Sequence, residues 1–177
     1  YMTLSLTGTQ FLSNTATLHG GGAHAAGAAK LTGALFQTNT AGAYGGGLGV
    51  TDSSEGTGVG DTHTVDNNGR DNYIVFQFSQ NVEVDKAFLG YVVTDSDMTV
   101  YVGSSAAPIT SMNNAVLSGM SLKEFNDTPD GLTRWADFNA DKVQGNVLIL
   151  AARDDGHSMD YFKVEQLVYQ AVQSGGV

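Results

Sequence analysis

Short apolar runs that alternate with polar residues constrain the fold of this chain more than any other feature. Tyr73 to Phe78 reads YIVFQF and puts Ile74, Phe76 and Phe78 on one face, and Met98, Val100 and Val102 alternate in the same way. A period of two marks a β-strand, because successive side chains point to opposite sides of the backbone. Tyr1 to Leu6 repeats the pattern, with Met2, Leu4 and Leu6 against Thr3 and Ser5. Thr9 to Leu18 is Thr-rich and is expected to pair with that first strand after a turn at Gly8. Val82 to Val93 turns apolar on both faces in its second half, and Val147 to Ala152 (VLILAA) reads as a fully buried central strand. Tyr161 to Val168 closes the set, with Phe162, Val164 and Val168 on one face.

Between these strands the sequence is rich in turn formers. Gly20 to Gly49 is Gly/Ala-rich and reads as a loop or as a surface that packs closely between subunits. Thr51 to Asn72 is a long polar segment without apolar period, which in a compact domain points to function or to ordering by a metal. Ser104 to Asp130 reads as irregular, with a short helix near Ala115 to Leu122 and with Trp135 and Phe138 as its anchors. Only 8 residues are Lys or Arg, too few for several solvent-facing amphipathic helices, while 23 are Gly. The expected fold is all-β: an antiparallel β-sandwich of jelly-roll type with long Gly-rich and acidic loops. Its expected core is Ile74, Phe76, Phe78, Val92, Val100, Val147, Ile149 and Val164. One domain covers residues 1–172, with a Gly/Thr-rich N-terminal segment over 1–44, and 173–177 form a small polar tail.

Charge narrows the function. The net charge of −10 gives no basic face for nucleic acid and favours divalent cations. Without cysteine there are no disulfides, no thiolate catalysis and no Cys-type zinc sites. No apolar run approaches the roughly 20 residues of a membrane-spanning helix. The start at Tyr1, directly in strand-like sequence, reads as a mature form without its signal peptide, or as a chosen chain boundary.

The catalytic motifs fail their own requirements. His19-Gly20-Gly21-Gly22 resembles an esterase oxyanion loop, but the chain has no G-x-S-x-G elbow to go with it. Gly56 to Gly60 resembles a phosphate loop, but Asp61 follows it and repels phosphate. His19, His24, His63 and His157 lack the spacing of a helical zinc pair and read as solvated loop histidines.

The acidic loops carry the one chemical signal. Asp52, Glu55, Asp61, Asp66, Asn67, Asn68 and Asp71 crowd one segment, Asp95 and Asp97 a second, and Asp154, Asp155 and Asp160 a third. Calcium takes six to eight hard oxygens, which such loops supply. The expected ligands are Glu55, Asp66, Asn67, Asp95 and Asp97, against the plainer reading of ordinary acidic turns.

From Gly45 onward the chain resembles the exosortase-dependent (PEP-CTERM type) bacterial surface proteins. The resemblance rests on GGLGVT (Gly46 to Thr51), HTVDNNGR (His63 to Arg70), LGYVVTDSDMTVYVG (Leu89 to Gly103), GNVLILAA (Gly145 to Ala152) and DYFKV (Asp160 to Val164). The sorting motif, membrane helix and basic end of that family do not follow Val177 here, as expected of a removed or omitted sorting tail. The resemblance implies export to the cell surface and no catalytic residues.

Two functions are then expected. The first is a structural protein of the surface, matrix or biofilm that self-assembles into filaments or arrays, with Tyr1 to Gly22 contacting a neighbouring copy through Met2, Leu4 and Leu6. The second is a calcium-stabilised carbohydrate-binding module that takes extracellular polysaccharide on Tyr44, Tyr101, Trp135 or Tyr169. An enzyme is the weakest reading.

Overall fold

The structure is a computed structural model. It describes the backbone of residues 4–7, 10–12, 15–16, 29–32, 35–37 and 40–41. Residues 48–50, 64–125, 133–156 and 159–172 are described with their side chains, that of Thr94 excepted.

The N-terminal strands are β1 (Leu4–Thr7), β2 (Gln10–Leu12), β3 (Thr15–Ala16), β4 (Ala29–Thr32), β5 (Leu35–Gln37) and β6 (Thr40–Ala41). They pair in parallel as β1 with β4, β2 with β5 and β3 with β6. This corrects the expectation that the second Thr-rich stretch folds back on the first strand. It also replaces the expected loop after Gly20 with three strands. The physical reason is a sequence repeat: Leu4 faces Ala29, Gln10 faces Leu35 and Thr15 faces Thr40, always 25 residues apart. Each strand therefore meets its own counterpart, as in the coils of a solenoid.

The rest is antiparallel and contains β7 (Val65–Asp66), β8 (Tyr73–Thr94), β9 (Met98–Gly103), helix α1 (Asn114–Leu117), β10 (Ser121–Phe125), β11 (Arg134–Asp137), β12 (Gln144–Ala152) and β13 (Asp160–Ala171). The all-β expectation holds, and the sheet is mostly antiparallel, with the N-terminal pairs and the β4–β8 contact parallel. The strand order β1-β4-β8-β12-β9-β10 makes one path, and β11, β13 and β7 branch from β8 and β13. The two segments read as separate strands, Tyr73 to Phe78 and Val82 to Val93, are one strand of 22 residues. The polar run Ser79-Gln80-Asn81 does not break it; partners change there instead. Gly145 lies opposite Val82, yet Val147 lies opposite Gln77, so β8 bulges between them. Before the bulge β8 runs beside β12; beyond it β12 still pairs with Val82 and Glu83, β11 with Lys86 to Leu89, and β13 lies along Val82 to Thr94.

Buried side chains of the antiparallel strands form one core that includes Val84, Leu89, Met98, Val100, Leu148, Leu150 and Phe162. β12 is buried on both faces, since Val147 and Ile149 are covered as well as Leu148 and Leu150, as VLILAA led us to expect. Ile74, Phe76 and Phe78 pack against this core but remain partly exposed.

Three register shifts interrupt the pairing of β13 with β8, the last between Val168 and Tyr169. Val164 lies opposite Leu89 and Gln166 opposite Phe88, which leaves Glu165 as an extra residue. One extra residue reverses the alternation, so Leu167 turns to the core while Val168 turns outward. Sequence periodicity had placed Val168 beside Phe162 and Val164. Nearby, Tyr161 faces Val93 but Lys163 faces Gly90, and Tyr91 in the gap adopts φ 50°. The buried Lys163 ammonium lies 4.6 Å from the centroid of the Tyr91 ring. Glu165 covers Gly90 so closely that a Cβ there would strike its carboxylate.

Candidate functional site: a three-carboxylate junction

The strand ends bring three acidic residues together. β8 finishes at Thr94, and a tight turn follows in which the Asp95 N–H donates to the Val93 carbonyl at 2.7 Å. Asp95 then bridges to the start of β13, where the Tyr161 N–H donates to the Asp95 carbonyl at 3.0 Å. This places Asp95 and Asp97 beside Asp160, the first residue of β13. One carboxylate oxygen from each of the three lies within 4.8 Å of the others. Ligands on opposite sides of one calcium ion are about 5 Å apart, twice the calcium–oxygen distance. The cluster could therefore hold a metal ion.

Hydrogen bonds fix the central carboxylate. The Asp97 N–H donates to Asp160 Oδ1 at 2.8 Å, and Asn67 Nδ2 donates to Asp160 Oδ2 at 3.1 Å. Asn67 also accepts from the Asp160 N–H at 3.0 Å and donates to the Arg153 carbonyl at 2.8 Å. Asn67 thus orients Asp160 through both atoms of its amide. Asp95 turns one oxygen inward to accept from the Ser96 N–H at 2.8 Å. The Ser96 hydroxyl is wholly buried and has no hydrogen-bond partner among the described residues.

Burial sets the electrostatics. Asp160 is 1% exposed. Its carboxyl is raised to about 7, first by loss of water and then by the like charges of Asp95, Asp97 and Asp155; the Asp97 N–H pulls the other way. The nearest arginine is engaged with other carboxylates, since Arg153 Nη2 lies 3.3 Å from Glu124 Oε2 and Nε lies 3.9 Å from Asp155 Oδ2. A cation here would offset repulsion among groups already held close.

The structure sorts the sequence candidates. Asp95 and Asp97 lie in the cluster, and Asn67 supports it from behind. Asp66 is buried nearby, but its carboxylate accepts from the Thr64 hydroxyl at 2.8 Å and the Asn68 N–H at 3.1 Å, which ties it into its own turn. Glu55, Tyr44 and the four histidines lie outside the described residues. Asp160 was grouped by sequence with Asp154 and Asp155 and was missing from the expected ligands. The pairing of Asp160 with Thr94 across β8 and β13 brings it to the site, and no local motif announces that pairing.

The remaining aromatic candidates differ in exposure. Tyr101 is partly buried in β9 between Leu122 and Ile149. Trp135 is 45% and Tyr169 53% exposed. Phe138 is buried as an anchor should be, whereas Trp135 points outward beside Phe88. Among the described residues no helix is long and apolar enough to cross a membrane. Compared with protein-family models, curated proteins and solved structures, the chain gives no match in any of the three.

Proposed function

We propose that this chain is part of an exported surface or matrix protein, structural rather than catalytic, whose antiparallel sheet is locked by calcium at Asp95, Asp97 and Asp160. The observation that carries this reading is the convergence of the three carboxylates on one point between strand ends. A cation there ties the exit of β8 to the entry of β13, and millimolar calcium is met outside cells. The buried Ser96 hydroxyl in the same turn adds a polar atom whose partner an ion or water would supply. The resemblance to exosortase-sorted proteins supports export, and copies of the chain are its expected partners. The test is thermal unfolding in chelator and in millimolar calcium. Calcium should raise Tm, because binding to the folded state alone stabilises it. Asp97→Asn, at a partly exposed position, should remove most of the rise without unfolding the protein. Equal Tm values in chelator and calcium would overturn the calcium reading.

A second reading, glycan binding, is favoured by the outward face of β11, β8 and β13. Trp135, Phe88 and Gln166 form one row across the three strands, and Asp137, Lys86 and Val168 the next. The Trp135 and Phe88 rings are 5.0 Å apart, and the Lys86 ammonium lies 5.2 Å from the Trp135 centroid. An aromatic surface with polar groups at its rim suits the apolar face and hydroxyls of a sugar ring. The patch spans roughly 10 Å, two strand spacings, so its footprint is on the order of 100 Å², far less than the ~800 Å² per partner of a stable protein interface. Trp135 is the sole tryptophan, so its emission reports directly on this face. A neutral glucan such as laminarin should shift that emission to the blue, and retardation in glucan-containing gels should vanish in Trp135→Ala. Unshifted emission across neutral glucans would remove this reading.

A further inference from the structure

The paired coils at the N-terminus repeat in sequence as well as in register. Leu6-Thr7-Gly8 returns as Leu31-Thr32-Gly33, Phe11 as Phe36, Asn14-Thr15-Ala16 as Asn39-Thr40-Ala41, and Gly20-Gly21-Gly22 as Gly45-Gly46-Gly47. The backbone pairs identical residues: Leu6 with Leu31, Phe11 with Phe36, and Thr15 with Thr40. The two ends of this stack differ. At one end β4 meets the antiparallel sheet, where Thr32 pairs in parallel with Gln77 of β8. At the other, β1 is the last strand of its path; β2 and β3, like β5 and β6, each have a neighbour on one side only, among the described residues. The first coil therefore presents three parallel strand edges in a row, each a template for another strand.

We propose that this open coil is a docking surface for a further parallel β-coil of the same 25-residue repeat, and that the antiparallel sheet is the cap that ends such a stack. Continuity with the existing interface selects the occupant. A coil displaced by one strand spacing, roughly 4.8 Å, meets β1, β2 and β3 as they themselves meet β4, β5 and β6. A second copy of this chain fits less well. Docked head to head it would run its β1 antiparallel to β1, which forfeits the match of identical residues. Docked head to tail it would find β4 already beside β8. Coils of this kind contact only their neighbours, and stable arrays generally need at least three, capped at the end.

The test inserts a copy of residues 4–28 ahead of Leu4, with a scrambled insert of the same composition as control. In the unaltered chain, amides of β1, β2 and β3 should exchange hydrogen at least tenfold faster than those of β4. The repeat insert should slow them to the β4 level, and the scrambled insert should not. Trp135 emission, which reports on the antiparallel sheet, verifies folding in both variants. Equal protection of β1 and β4 in the unaltered chain overturns the proposal. So does unchanged exchange with the repeat insert, or concentration-dependent protection of β1 with dimers in sedimentation, which would assign the edge to a second copy.

Discussion

The N-terminal coils and the antiparallel sheet are both made of strands, yet they set register by opposite means. In the coils a repeat does the work: any strand finds its partner by matching a residue 25 positions away. In the sheet no such rule exists. β8 takes β12, β11, β13 and β4 as partners along its length, and bulges correct the alternation where they change. The first arrangement can gain a unit without disturbing the pairs already made. The second depends on residues buried on both sides, as in β12, so a local change is felt across the whole sheet.

Substitutions in each half should separate them. Phe162→Ala removes a wholly buried ring from the core and should cost about 3–5 kcal/mol. Chemical denaturation followed by Trp135 emission should show a much lower midpoint; a loss below about 1 kcal/mol would mean that the core refills the space. Leu31→Pro strikes β4, the coil strand that has neighbours on both edges. It removes a ladder N–H from a strand interior and should destabilise the coils. Amides of β1 and β4 should lose protection while the Trp135 midpoint stays put. A matching fall in the Trp135 midpoint would show that the two halves unfold as one unit.

The acidic junction should respond to pH. Asp160 holds its proton more tightly in the folded protein than in the unfolded chain, because its carboxyl is raised from 3.8 to about 7. The folded state thus binds more protons between these values, and stability without added cation should fall as pH rises through that window. Asp160→Asn should flatten this slope, and added calcium should restore most at the upper end. A stability that rises between pH 5 and 7 in chelator, with the slope unchanged in Asp160→Asn, would show that other groups control the titration.

Legibility in the sequence followed the same division. YIVFQF and MTVYV declared their strands by a regular apolar face, and VLILAA by being apolar on both faces. Val168 was misread, and Trp135 was read both as an anchor and as an exposed aromatic, because their direction depends on register. Glu165 as an extra residue flips Val168, and the pairing of Trp135 with Phe88 turns the indole outward. β10 was hidden in a polar stretch, Ser121–Phe125, whose Leu122 is exposed and which owes its form to pairing with β9. Of the metal candidates, Asp95 and Asp97 were found because they sit two apart in one turn. Asp160 was missed because only the β8–β13 register brings it near. The coils were the avoidable miss. Their abundance of glycine read as loop, although LTG, F, NTA and GGG recur at fixed spacing in the bare sequence.

The length of β8 has a bearing on how the chain comes to be folded. As the polypeptide emerges N-terminus first, β8 is complete long before β13, the strand that lies along Val82 to Thr94. Until that last strand arrives, one edge of the longest element stays unmatched, and pairings of such wide sequence separation are slow to form. The coils need only the preceding 25 residues and can close at once. The leading end would therefore order first, and the final closure of β13 over β8, with Asp160 meeting Asp95 and Asp97, would come last.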